Sequence, residues 1–127
     1  MGEKRSLCVL SEKFCVNRLD PSEEIPNWVR KSNWYSITVT DEELSIVCEE
    51  SVVPDDVKTE GGWRCIKVIG PLEFGQIGIL AGISKILAEK NISIFVVSTY
   101  DTDYILIKEN TLDKTLAALV ANGYDVK

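Results

Sequence analysis

ISIFVVSTYDTDYILIKE, residues 92–109, decides how this chain folds. It opens with a near-continuous apolar run, ISIFVVST, and closes with a second, YILIKE. Between them, Asp101, Asp103 and their hydroxyl neighbours are residue types that close turns by bonding their own backbone. Two β-rich runs around such a turn predict a hairpin. The first run has no polar alternation, which predicts a central strand packed on both sides.

Helical periodicity flanks the hairpin on both sides. IGILAGISKILAEKN predicts a helix from about Ile77 to Lys90, with Ile79, Ile83 and Ile86 on one stripe and Leu80, Ser84 and Leu87 beside it. TLDKTLAALVANG predicts a second helix, capped by Thr111, ended by Gly123, with Leu112, Thr115, Leu116, Leu119 and Val120 inward. WRCIKVIG reads as a strand stopped at Gly70-Pro71, PLEFGQIG as a loop, and YDV as a last edge strand. Residues 63–127 therefore run strand, helix, strand, strand, helix, strand, the ferredoxin-like order.

The first half repeats that order in eroded form. SLCVL and KFCVNRL are strand candidates, and WYSITVT with ELSIVCE predicts a hairpin. DPSEEIPNWV starts as a helix, with Asp20 as cap and Pro21 in the first turn, and Pro26 keeps it short. SVVPDDVKTEGG reads as a polar connection, which places an internal boundary near residues 59–61. The aromatics Trp28, Trp34 and Trp63 are expected as packing anchors.

A length of 127 residues suits one domain or two very small ones. A net charge of −6 without a basic cluster argues against nucleic acid. No apolar run reaches the length of a membrane span, and the charged N-terminus does not read as a signal peptide. MGEKRS fits the short myristoylation pattern through Gly2 and Ser6. The four cysteines, Cys8, Cys15, Cys48 and Cys65, form no CxxC pair and read as reduced apolar residues of a cytoplasmic protein. With no histidine, neither Ser-His-Asp nor Cys-His catalysis is available.

TDEELSIVCEESVVP (40–54), GWRCIKVIGPLEFGQIGIL (62–80) and IFVVSTYDTDYILIKE (94–109) resemble ACT domains, and KFCVNRLDP fits more loosely. More narrowly, the chain resembles a small bacterial family of tandem ACT proteins related to the Castor-type amino-acid sensors of animals. The resemblance implies an α+β fold of two ferredoxin-like (βαββαβ) ACT units, residues 1–60 and 61–127, with adjoining antiparallel sheets. It implies a regulatory module without catalysis or cofactor, binding a free amino acid between ACT units. It puts Ser45 and Ile46, the loop residues Glu73, Phe74, Gln76 and Gly78, and the turn residues Thr99, Tyr100 and Asp103 at that site. In the arginine-sensing relatives an acidic side chain stands near the position of Gln76. A neutral amide here leaves arginine and a neutral or amide-bearing amino acid both open.

The residues give that site a physical sense. An amino acid is a zwitterion, so a pocket needs an anion side and a cation side. The free N–H groups at the start of the first helix, approached through Gly75 and Gly78, suit a carboxylate. Asp103 suits the ammonium group, with Tyr100 as a wall, Thr99 as a hydroxyl, and Asp101 free to close the turn. Two other readings stay open. One is a ligand-free interaction module assembling through sheet edges, as a homodimer or with an unidentified protein. The other is a metal-assisted enzyme using Asp101 and Asp103.

Overall fold

In the computed structural model, which describes residues 6–69 and 78–127, the hairpin forms where the pattern places it. The strands are β1 (Ser6–Val9), β2 (Phe14–Leu19), β3 (Ser36–Val39), β4 (Leu44–Glu49), β5 (Lys58–Val68), β6 (Phe95–Ser98), β7 (Asp103–Lys108) and β8 (Asp125–Val126). The helices are α1 (Ile79–Glu89) and α2 (Leu112–Ala121). The chain forms two units, residues 12–63 and residues 64–127 together with the N-terminal segment through Ser11. The passage from one to the other falls inside β5, and β1 belongs with the C-terminal unit rather than with the strands that follow it.

In the C-terminal unit the strand order is β6-β7-β5-β1-β8. Strand β1 lies antiparallel to β5 and parallel to β8, so the N-terminal strand is inserted beside the last one. Ile66, Val68, Ile105, Ile107 and Leu7 share a buried cluster with Ile83 and Leu87 of α1 and Leu119 of α2. Of the two hairpin strands, β7 is the one buried on both sides, through Ile105, Leu106 and Ile107. This corrects the expectation for the first apolar run. Strand β6 pairs with β7 alone among the described residues, and none of its side chains is fully buried. Val96 packs on the cluster, while Phe95 and Val97 stay half-buried, so the run's apolarity serves one face and part of the other.

Both helices end on the same device. After α1, Ile92 N–H donates to Leu87 O and Asn91 N–H to Ala88 O; after α2, Tyr124 N–H donates to Leu119 O and Gly123 N–H to Val120 O. These are Schellman motifs, with Asn91 (φ 59°) and Gly123 (φ 92°) in the left-handed position. The residue after each, Ile92 or Tyr124, folds back into the cluster beside Leu87 or Leu119. Two expectations for α2 are corrected. Thr111 does not cap it but donates its hydroxyl back to Lys108 O (2.8 Å). Val120 is 57% exposed, and Ala118 takes its place inward, because the arc centres on Thr115 and Leu119.

In the N-terminal unit the order is β3-β4-β2-β5, every neighbour antiparallel. The connections that would be helices are single 3-10 turns, Asn27–Lys31 and Glu50–Val52. The expected helix at Asp20 stops after one turn. Asp20 accepts from Ser22 N–H and Glu23 accepts from Asp20 N–H, a reciprocal cap, but Pro26 has no N–H to continue the ladder. The Val29 side chain from the first turn covers a small cluster of Cys15, Leu44, Ile46 and Cys48. Trp34 meets Phe14 edge to face, centroids 5.6 Å apart.

The Gly-Gly pair is not a linker, a further correction. Lys58–Gly62 already lies in β5, paired with β2, and the register slips between Phe14 and Val16. Gly62 (φ 78°) takes the backbone conformation that the bulge needs, and its N–H donates to the Glu50 carboxylate.

Candidate functional site

Alternation along β5 sends Ile66 and Val68 to the helix-side cluster and leaves Lys67 and Ile69 on the other face. Strand β1 places Cys8 directly opposite Lys67. Alternation along β7 puts Tyr104 on that face too, since Ile105 and Ile107 point to the helices. These four residues floor a hollow of about 470 Å³, and the β6–β7 turn closes one side of it with Thr99, Asp101 and Thr102.

The turn is short and lacks glycine. Thr99 N–H donates to Thr102 O (2.8 Å), leaving Tyr100 and Asp101 as its tip. The Thr99 hydroxyl substitutes for a missing backbone bond, accepting Thr102 N–H (3.3 Å) and donating to Thr102 O (3.1 Å). Thr102, 3% exposed, donates its hydroxyl to Val68 O at 2.6 Å. One hydroxyl thus shapes the turn and the other ties it to β5, next to Lys67.

The hollow carries two opposite charges. Lys67 Nζ stands 5.9 Å from the centroid of the Tyr104 ring, a cation–π arrangement that orients the ammonium group. Asp101 is exposed at the rim, and among the described residues no hydrogen bond or ion pair engages its carboxylate. Below, burial pushes the Cys65 thiol up to about 12, so it stays neutral, while Cys8 is half-buried and lines the hollow.

The expected site residues fall in several places. Thr99 lines the hollow. Tyr100 projects from the tip, 80% exposed, and does not line it. Asp103 lies in phase with Ile105 and accepts the Ser98 hydroxyl at 2.5 Å, so Asp101 and Asp103 do not converge. Among the described residues no three acidic or thiol groups gather as a metal site. Gly78 is the residue before α1, exposed and left-handed (φ 84°), with no side-chain cap. Ser45 and Ile46 belong to the N-terminal unit, on β4. Ser45 is half-buried, and Ile46 is fully buried with its carbonyl bound by Asn17 Nδ2 (2.9 Å). Glu73, Phe74 and Gln76 lie outside the described residues.

The alternation in WRCIKVIG already sets Lys67 apart from Ile66 and Val68, but its neighbours Cys8 and Tyr104 arrive through long-range pairing. Asp101 was expected as the closer of the turn. Thr99 closes the turn instead, which leaves Asp101 its charge to offer.

Comparison with known proteins fits this architecture. A solved structure of protein Atu0741 from Agobacterium tumefaciens is 39% identical, covers 99% of this chain and 94% of that one, and superposes with a TM-score of 0.92. The regulatory subunit of aspartate kinase from Thermus thermophilus shares the fold at 8% identity, with 91% and 96% of the chains covered and a TM-score of 0.63. The bovine (Bos taurus) protein named cytosolic arginine sensor for mTORC1 subunit 1 is 28% identical over 109 residues, 76% of this chain. The chain spans about a third (32%) of that relative's length. A family model described as an N-terminal domain matches residues 12–56, and the model of the ACT domain matches residues 58–121. The chain belongs to the ACT-domain family.

Proposed function

We propose that this chain is a regulatory, non-catalytic module that senses a free amino acid, and that the hollow of the C-terminal unit holds it. The observation that carries this reading is the presence of Lys67 and Asp101 in one hollow. The α-carboxylate meets the Lys67 ammonium group and the α-ammonium meets Asp101. Each is a charge-assisted bond worth about 1.5–3 kcal/mol. Thr99 shapes the turn that carries Asp101, and Thr102 ties that turn to β5, which carries Lys67. Of the residues expected from the resemblance, Thr99 belongs to this site, and Asp103 supports the turn through Ser98. Regulation follows by linkage: a ligand that binds one arrangement of the protein better than another shifts it toward that arrangement, and a protein partner reads the shift.

The test is thermal unfolding of ligand-stripped protein against each common amino acid. A ligand at a hundred times its dissociation constant adds about 2.7 kcal/mol to native stability. Lys67→Met and Asp101→Asn should each keep the unliganded Tm and weaken binding by about 10- to 150-fold, the equivalent of one lost bond. A flat response to every amino acid sinks the reading. Association that grows with protein concentration would then favour an interaction module, for which β3, β6 and β8, each with one strand neighbour among the described residues, offer edges.

A further inference from the structure

We infer that the amino acid taken by this hollow has an uncharged, apolar side chain. The inference rests on the proposed function and extends it from a zwitterion to a class of zwitterion.

Lys67 and Asp101 are the only charged residues lining the hollow among those described. A zwitterion's own two charges consume both. The hydroxyls that could greet a polar side chain are committed elsewhere: Thr99 to both backbone groups of Thr102, and Thr102 to Val68 O. The remaining wall is Ile69, the Cys8 thiol and the Tyr104 ring. Ile69 and Cys8 gain by covering hydrocarbon or sulfur, and the Tyr104 ring already faces the Lys67 ammonium group, which would repel a second cation there.

The charge balance decides against basic and acidic ligands. A guanidinium or second ammonium would compete with the α-ammonium for the one carboxylate, and the loser would sit against Ile69 and Tyr104 without a partner. A second carboxylate would compete for Lys67 in the same way. Placing an unpaired charge against apolar surface is the costliest arrangement open to the complex. About 470 Å³ lies within the range of small-molecule pockets and accommodates an aliphatic, thioether or phenyl group beside the α-carbon.

The experiment is calorimetric titration of the whole chain with leucine, methionine, phenylalanine, arginine, lysine and glutamate at one ionic strength. At least one of the first three should bind tenfold or more tightly than any of the charged three. If arginine, lysine or glutamate binds as well as the best neutral ligand, the side-chain inference falls while the zwitterion site stands. If none of the six binds, the side-chain inference falls, and the zwitterion site falls with it once the remaining common amino acids also fail to bind. A second arm adds charge to the wall. Cys8→Asp should raise the affinity for arginine relative to leucine by at least tenfold, with Cys8→Asn as the uncharged control. An unchanged ratio in folded Cys8→Asp protein would show that the ligand side chain does not lie against that wall, and would overturn the inference.

Discussion

Replacing Thr102 by valine tests how the hollow is held. The two side chains share a shape, so the change opens no cavity and leaves the β-branched rotamer intact. What it removes is one hydroxyl, which in a position 3% exposed donates to Val68 O at 2.6 Å. A buried hydrogen bond contributes about 0.5–1.5 kcal/mol, and a buried carbonyl left without its donor raises the cost to about 1–3 kcal/mol. Unfolding entropy of about 2.1 cal/mol/K per residue makes each kcal/mol worth roughly 4 °C in a chain of this size. The substitution should therefore lower Tm by about 4–10 °C in a circular-dichroism melt. It should also weaken amino-acid binding, since the turn carrying Asp101 is then free to drift from β5 and Lys67. Thr102→Ser keeps the hydroxyl and loses a methyl, so it should preserve binding better than valine does. If valine melts and binds as the parent while serine does not, the methyl holds the turn and the hydrogen-bond account is wrong.

Other consequences concern the glycines and the thiols. A Cβ at Gly61 would stand 2.6 Å from Glu50 Oε2, so Gly61→Ala should push that carboxylate off Gly62 N–H and cost about 1.5–3 kcal/mol in denaturant unfolding. In a Glu50→Ala background the same change should cost much less, and equal costs would separate the two residues. Alkylation of the native protein should mark Cys8 alone, because Cys15, Cys48 and Cys65 are fully buried, and a bound amino acid should slow it; fast labelling of Cys65 would contradict the packing. The Cys48 thiol is pushed up by its hydrogen bond with Cys15 and then by burial. Cys65, ordinarily at 9.0, is raised to about 12 by burial, so above pH 9.0 the unfolded chain releases a proton that the folded one retains. Its share of the stability is whole below that pH and falls by up to about 1.4 kcal/mol per pH unit toward the folded value. Cys65→Val should flatten that alkaline slope, and an unchanged slope would assign it to other groups.

The elements themselves were legible because their signals are local. Period-two and period-3.6 patterns report which face of a segment is apolar, and Asn91 and Gly123 mark helix ends through their own backbone preferences. Pro26 likewise announced that no long helix would follow Asp20. Position in the sheet was less legible. The run before the turn is as apolar as a central strand, yet it lies at an edge, because burial depends on which strands arrive beside it. The Gly-Gly pair carries the composition of a linker, and only pairing with β2 and the Glu50 carboxylate makes it a bulge.

By itself, the amino-acid sequence determined the hairpin, the two helices, the strand before Gly70-Pro71, and the absence of histidine chemistry. All of these follow from bond geometry and residue type within a few positions. Only the tertiary structure decided that β1 joins the C-terminal unit, that of the two hairpin strands β7 and not β6 is buried on both sides, and that Lys67, Asp101 and Cys8 share one hollow. Cys8 lies nearly sixty residues from Lys67 in the chain, and Asp101 more than thirty beyond it. Strand pairing sets such meetings, and a pairing energy is a property of two segments, which neither one's pattern contains.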